Sequence, residues 1–201
     1  MEFVIATQNK GKLAEMRRIL KPLGHTVLSA KEAGFTQDVE ETGATFSENA
    51  ALKATAVAQA VKKPVIADDS GLMVDALGGA PGVYSARYAG EGATDQQRWE
   101  KLLRELEGVP QEKRTARFCC SMVLVLPGQP PVSFYGECSG YIGPKPLGQD
   151  GFGYDPIFYL NDTTSFATIT REEKDQISHR GRAMAELAEY LKKLSKEGTK
   201  E

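Results

Sequence analysis

The chain opens on an apolar run, Phe3-Val4-Ile5-Ala6, which gives way to Thr7-Gln8-Asn9-Lys10-Gly11-Lys12 and then to apolar residues at helical spacing, Leu13, Met16, Ile19 and Leu20. Strand, short polar turn and helix in immediate succession constrain the chain more than any other feature. They start an α/β arrangement and aim backbone N–H groups and the positive end of a helix at one place, where an anion is welcome. Lys10 and Lys12 add mobile charge, and Thr7, Gln8 and Asn9 add side-chain hydrogen bonds. The turn holds one glycine, so it matches neither the G-x-x-x-x-G-K-[ST] phosphate loop nor a dinucleotide fingerprint. A plain solvated basic turn has the same composition.

Further along, strands are expected at Glu2–Ala6, His25–Ser29 and Val65–Ala67, and helices at Lys12–Leu23, closed by Gly24, and from Thr45 to Val61. Thr45-Phe46-Ser47-Glu48 is a capping box, and Pro64 ends the helix it opens. The stretch 30–44 is a polar, acidic loop. A helix fits Thr94–Leu106. Thr115–Leu126 and Val132–Ile142 are long β-type runs joined by Pro127-Gly128-Gln129-Pro130-Pro131, an expected antiparallel hairpin. A Gly- and Pro-rich segment follows at 143–156, then a last helix at His179–Leu194 with Ser178 as its N-cap. Alternating strands and helices followed by a long hairpin predict a mixed α/β sheet with helices on its faces. One domain is expected over 1–195, with a charged tail at 196–201.

At 201 residues and 41% hydrophobic the chain can bury a full core. A net charge of −2 argues against bulk binding to nucleic acid or an anionic membrane, and no apolar run is long enough to span one. Cys119, Cys120 and Cys138 are odd in number and two are adjacent, so they read as small hydrophobes in a reducing, cytoplasmic setting.

Three constellations carry chemistry. Asp68-Asp69-Ser70-Gly71 follows a buried strand, at the edge where open α/β sheets bind ligands. Consecutive carboxylates on an extended chain point in opposite directions, so one at most faces a site unless the strand has broken. Hard oxygen ligands suit Mg²⁺, and Asp38, Glu40 and Glu41 in the acidic loop offer a second carboxylate. The same residues also suit a turn cap. In Gly151-Phe152-Gly153-Tyr154-Asp155-Pro156 an aromatic between glycines lets backbone approach a planar ligand while the ring stacks on it, with nearby N–H groups able to donate to a base carbonyl; a structured turn uses the same residue types. Lys174 with Ser178-His179-Arg180 places donors at a helix start, where cations are unfavourable without a ligand. His25 is read as structural.

Thr7–Lys12, Glu40-Glu41-Thr42-Gly43-Ala44-Thr45-Phe46, Ala67–Leu72, Leu77–Tyr88, Phe152–Pro156 and Ser178-His179-Arg180, in this order from residue 3 to about 190, resemble the inosine/xanthosine triphosphate pyrophosphatase family. In the turn, Gln8, Lys10 and Gly11 vary within that family, and Thr7, Asn9 and Lys12 carry the likeness. The resemblance implies an elongated mixed α/β sheet with two lobes and an active-site cleft between them, usually a homodimer. It implies a phosphate-binding loop at Thr7, Gln8, Asn9, Lys10, Gly11 and Lys12, and Mg²⁺ carboxylates at Glu40 and Asp69. Asp69 is then also the general base, with Lys12 and Asp68 as further catalytic residues. Base contacts fall on Ser70, Phe152, Gly153, Tyr154, Asp155, Lys174, His179 and Arg180. The implied reaction is Mg²⁺-dependent hydrolysis of ITP, dITP or XTP to the monophosphate and pyrophosphate, cleansing the nucleotide pool. Donors such as His179 and Arg180 would match the C6 carbonyl of hypoxanthine or xanthine and clash with the amino group of adenine. Two rivals stand beside this reading. One is the related pyrophosphatase family acting on modified pyrimidines; the other is a nucleotide-binding module without turnover.

Overall fold

The computed structural model describes residues 1–197. The helices are α1 (Lys10–Leu20), α2 (Phe46–Val61), α3 (Asp95–Glu105), α4 (Arg171–Ile177) and α5 (His179–Glu197). The strands are β1 (Glu2–Ile5), β2 (Thr26–Ser29), β3 (Val65–Val74), β4 (Thr115–Val125), β5 (Val132–Ile142), β6 (Phe158–Asn161) and β7 (Thr164–Ser165). They form one mixed sheet in the order β2-β1-β3-β4-β5-β6-β7. β1 is parallel to β2 and β3, whereas β6 is antiparallel to β5 and β7. The expected mixed α/β sheet flanked by helices is present. Residues 198–201 of the expected tail lie outside the described residues. Among the described residues no helix is long and apolar enough to cross a membrane.

The chain divides into two compact units. The first comprises Met1–Asp69, Cys120–Gly136 and the segment from Arg180 onward; the second comprises Ser70–Cys119 and Glu137–His179.

In the first unit strand periodicity sorts side chains onto two faces. Phe3 and Ile5 of β1, Ile66 of β3, and Cys120, Met122 and Leu124 of β4 share one core with Met16 and Leu20 of α1 and Met184, Leu187 and Leu191 of α5. Val4, Ala6, Val65, Ala67 and Val123 meet Ala50, Ala54 and Val57 of α2 in a second core. Sheet and helices thus form layers, and each fully buried Leu, Ile or Phe contributes about 1.5–3 kcal/mol. The alanines of α2 let that helix approach closely, and its start is fixed by the expected capping box between Thr45 and Glu48.

The second unit has its own core. Leu72, Val74, Leu102, Leu106, Phe118, Ile142, Tyr154, Phe158 and Phe166 pack together, and Phe118 stacks on Phe166 at 5.7 Å. All three cysteines are buried, as small hydrophobes should be.

Several boundaries differ from the sequence reading. α1 begins at Lys10 rather than Lys12 because Asn9 caps it. It ends at Leu20, and a 3₁₀ turn over Lys21–Leu23 closes on Gly24 in the left-handed region. β3 continues unbroken to Val74, past Ala67 where the sequence reading ends it, so the strand has not broken at Asp68 and Asp69. Ser178, expected as the N-cap of the last helix, stands directly before α5 with extended backbone and is also the C-cap of α4, its N–H donating to the Lys174 carbonyl at 2.8 Å. α4 itself, β6, β7 and the 3₁₀ segment Gly82–Arg87 are additions to the sequence reading. Only α4 carries a legible signal, the capping box between Thr170 and Glu173.

Candidate active site

In the first unit the opening turn is held by its own side chains. Thr7 Oγ1 accepts from the Asn9 N–H at 3.2 Å, and Asn9 Oδ1 accepts from the Gly11 and Lys12 amides at 2.9 and 3.1 Å. Asn9 therefore satisfies two of the donors a helix start leaves open. Gln8 donates to Asp38. Lys10 is exposed, while Lys12 reaches down from α1.

β3 stays extended through Asp68 and Asp69, so the two carboxylates leave the strand in opposite directions. Asp68 has the parity of Ile66 and faces α1 and α5. Lys12 Nζ is 3.0 Å and Arg180 Nε is 3.2 Å from its Oδ2. Arg180 also pairs with Glu15. Burial alone would raise the Asp68 pKa, but Lys12 and Arg180 outweigh it and hold the carboxyl well below the usual carboxylate range. Burial works against the Arg180 charge as well, and Asp68 and Glu15 reverse it, so its pKa rises.

Asp69 has the parity of Ala67 and faces α2. Asn49, 1% exposed, donates Nδ2 to Asp69 Oδ2 at 3.1 Å and accepts the Gly43 N–H at 2.8 Å, tying the acidic loop to the strand. Lys53, one helical turn on, pairs with Glu41 and lies 3.8 Å from Asp69 Oδ1. Burial raises the Asp69 pKa, and Lys53 and Lys12 offset this only in part. For Lys53 burial pulls down, but Asp68, Asp69 and Glu41 together leave its pKa raised. Neighbouring carboxyls with pKa values pushed apart are how one strand supplies a fixed anion and a proton acceptor.

The metal expectation divides. Among the described residues no three His, Cys, Asp or Glu side chains gather as a ready cage. Mg²⁺ does not need one, since one or two carboxylates and substrate phosphate suffice. Asp69 fits, and an ammonium already lies between it and Glu41, where a cation is favoured. Glu40 is exposed and lines a shallow concavity with Phe35, Val39, Ala56 and Gln59. The loop carboxylate that the structure ties to Asp69 is therefore Glu41. Lys53, Asn49 and Glu15 do not stand out in the sequence. Lys53 has one signal: it follows Asn49 by one turn on the face that α2 turns to β3.

In the second unit the loop Gly151–Pro156 is built from inside. Asp155, 2% exposed, accepts the Phe152 amide at 2.9 Å and Lys174 Nζ at 2.6 Å. The same ammonium lies 4.6 Å from the Phe152 ring centroid and 5.5 Å from that of Phe166. The Tyr154 hydroxyl donates to the Ser85 carbonyl at 2.8 Å, and burial raises its pKa. The Gly153 amide donates to Asp95 at 2.6 Å. Tyr154 and Asp155 thus hold the loop in shape, and its Phe152 and Gly153 amides donate to carboxylates. The Phe152 ring remains half-buried.

His179 is 3% exposed and stacked on Phe118 at 4.7 Å and 11°. Ser70 is half-buried at the head of this unit. Arg180, expected beside His179 as a reader of the base, is 2% exposed and pairs with Asp68 and Glu15 in the first unit.

The sheet and its flanking helices define an α/β protein that carries a lysine–carboxylate cluster at Asp68 and Asp69. The chain belongs to the Ham1 family, whose model matches residues 3–190. It is 54% identical over 196 residues to a dITP/XTP pyrophosphatase of Bacillus subtilis (strain 168), covering 97% of this chain and 96% of that protein. It is 50% identical over 191 residues to a dITP/XTP pyrophosphatase of Halalkalibacterium halodurans, covering 94% and 98%. Among solved structures it resembles the Staphylococcus aureus Ham1 protein, with a TM-score of 0.85 at 44% identity over 96% of this chain and 98% of that one. A HAM1 protein from Coxiella burnetii gives 0.86 at 42%, over 96% and 99%.

Proposed function

We propose that this protein hydrolyses non-standard purine nucleoside triphosphates, ITP, dITP and XTP, to the monophosphate and pyrophosphate, and so clears them from the nucleotide pool. The observation that carries the reading is the opposed setting of Asp68 and Asp69. One is a permanent anion locking two cations in place, and the other is a carboxylate of raised proton affinity between Asn49 and Lys53. Relatives at about half identity that bear the name dITP/XTP pyrophosphatase support the substrate class.

In this reading water attacks the α-phosphorus. The bond to the bridging oxygen breaks, pyrophosphate leaves, and Asp69 takes the proton of the water. Lys12, held at a fixed depth by Asp68, faces the negative charge that builds on the phosphates, with Lys53 beside Asp69 as a second cation. One oxygen of Asp69 and the acidic loop, through Glu41 or Glu40, would hold Mg²⁺, which when bound neutralises phosphate charge and aids the departure of pyrophosphate, while the other Asp69 oxygen stays available to the proton. Asp68, ionised and occupied by two cations, acts by positioning rather than as a base. Phe152, backed by Lys174, stacks on the purine, and His179 reads its carbonyl edge. A homodimer and a cytoplasmic location belong to the same proposal; light scattering gives the first.

The deciding experiment is turnover with ITP, dITP and XTP in Mg²⁺, with phosphorus NMR of the products. Monophosphate with pyrophosphate supports the reading. Diphosphate with orthophosphate places the attack elsewhere, and binding without turnover leaves a nucleotide sensor.

A further inference from the structure

Asp95 is the first residue of α3, and its placement is over-determined. Thr94 caps the helix reciprocally with Gln97. Arg98 Nη1 donates to Asp95 Oδ1 at 2.7 Å, and Arg98 Nη2 to the Ala93 carbonyl at 2.6 Å. The other oxygen, Oδ2, accepts the Gly153 amide at 2.6 Å across 58 residues of sequence. On the preceding residue the Phe152 amide goes to Asp155, itself fixed by Lys174. Two consecutive amides are thus clamped by two carboxylates from different elements. The second clamped residue, Gly153, sits at φ +64°, which side chains other than glycine's rarely adopt. The Asp95 side chain is 45% exposed and absent from the core of this unit, so core packing does not explain a charge-assisted bond to a loop.

We propose that Asp95 is a specificity-positioning residue, whose carboxylate sets the orientation of the Phe152–Gly153 platform and through it the choice of base. The inference rests on the nucleotide reading of the site. Asp95 touches no substrate itself. It acts through Gly153, by denying the loop the freedom to rotate the Phe152 ring off the base plane.

The test compares Asp95→Ala, which removes the acceptor, with Asp95→Asn, which keeps an oxygen for the Gly153 amide. For wild type and both variants, kcat/KM is measured with ITP and with ATP, and hydrogen exchange is followed over residues 151–155. Asp95→Ala should lose about tenfold on ITP, the equivalent of one hydrogen bond. Its loss on ATP should be smaller, so that the ITP-to-ATP ratio narrows, and exchange of the loop should quicken. Asp95→Asn should restore most of the ratio and the protection. Parallel loss on both nucleotides, or no change in loop exchange in Asp95→Ala, overturns the proposal. A wild type inactive on ITP with a loop that still loosens in Asp95→Ala, and is protected in Asp95→Asn, sinks the nucleotide reading and leaves the clamp standing.

Discussion

Asp68 and Asp69 are neighbours on one uninterrupted strand, yet Asp68 reaches Lys12 at 3.0 Å on the α1 side while Asp69 takes a hydrogen bond from Asn49 at 3.1 Å on the α2 side. One residue of register separates a carboxylate held ionised from one pushed toward its protonated form. Their substitutions should therefore have opposite consequences.

Asp69→Asn keeps the shape and leaves an oxygen for Asn49, but removes the basicity. Turnover of ITP should fall by about 10²–10⁴-fold, the usual worth of a positioned general base, with unchanged circular dichroism. In chelator at pH 7 the melting temperature should rise, because the variant no longer ionises a carboxyl whose folded pKa lies above its unfolded one. Near-normal turnover at saturating Mg²⁺ would remove Asp69 from the chemistry.

Asp68→Asn strips the shared anion from Lys12 and Arg180. Lys12 then loses this carboxylate, while Arg180 keeps Glu15; breaking a buried pair costs about 3–5 kcal/mol, so the melting temperature should drop sharply. A variant as stable as wild type by denaturant titration would contradict that pairing.

The pH dependence follows from the same pair. The folded pKa of Asp68 is depressed, so its stabilisation is complete above the unfolded value of about 3.9 and is lost as pH falls through the folded one. Melting curves from pH 6 to pH 3 should show wild type losing stability more steeply than Asp68→Asn. Other carboxylates are common to both proteins and cancel in the comparison. Parallel slopes would mean that Asp68 is not held ionised by its cations.

His179→Phe preserves the stack on Phe118 and deletes the ring nitrogens. If His179 reads the purine carbonyl, kcat/KM for ITP should fall about tenfold and the ITP-to-ATP ratio should narrow. Lys12→Ala should instead lower both nucleotides in parallel. An unchanged ratio in His179→Phe assigns base choice to the Phe152–Asp155 loop alone.

Gly151→Ala tests the loop from its other end. The new Cβ would lie 2.1 Å from Asp155 Oδ2, at a backbone φ of +83°. Because Lys174 and the Phe152 amide hold that oxygen, it cannot swing away. The strain should cost about 1–3 kcal/mol, seen as a lower melting temperature together with weaker ITP turnover. A fully stable and active variant would show the Asp155 clamp to be dispensable.

Local grammar decided much of this protein in one dimension. Apolar periodicity and caps placed β1, α2 and α3 within a residue or two, the alternation of a strand set Asp68 against Asp69, and ordered motifs carried the family. These features are legible because they depend on neighbours a few residues apart. The partners were not. Arg180 lies 112 residues from Asp68 and 165 from Glu15, and Asp95 lies 58 from Gly153. No local rule says which carboxylate a buried guanidinium will meet, so Arg180 reads as a base contact and folds as a counter-ion. Lys53 and Asn49 pass for ordinary helix residues until α2 packs on the Asp69 face of β3. Only the tertiary structure sets which opposite charges share a low-dielectric interior, and that sets which carboxylate stays ionised and which can accept a proton.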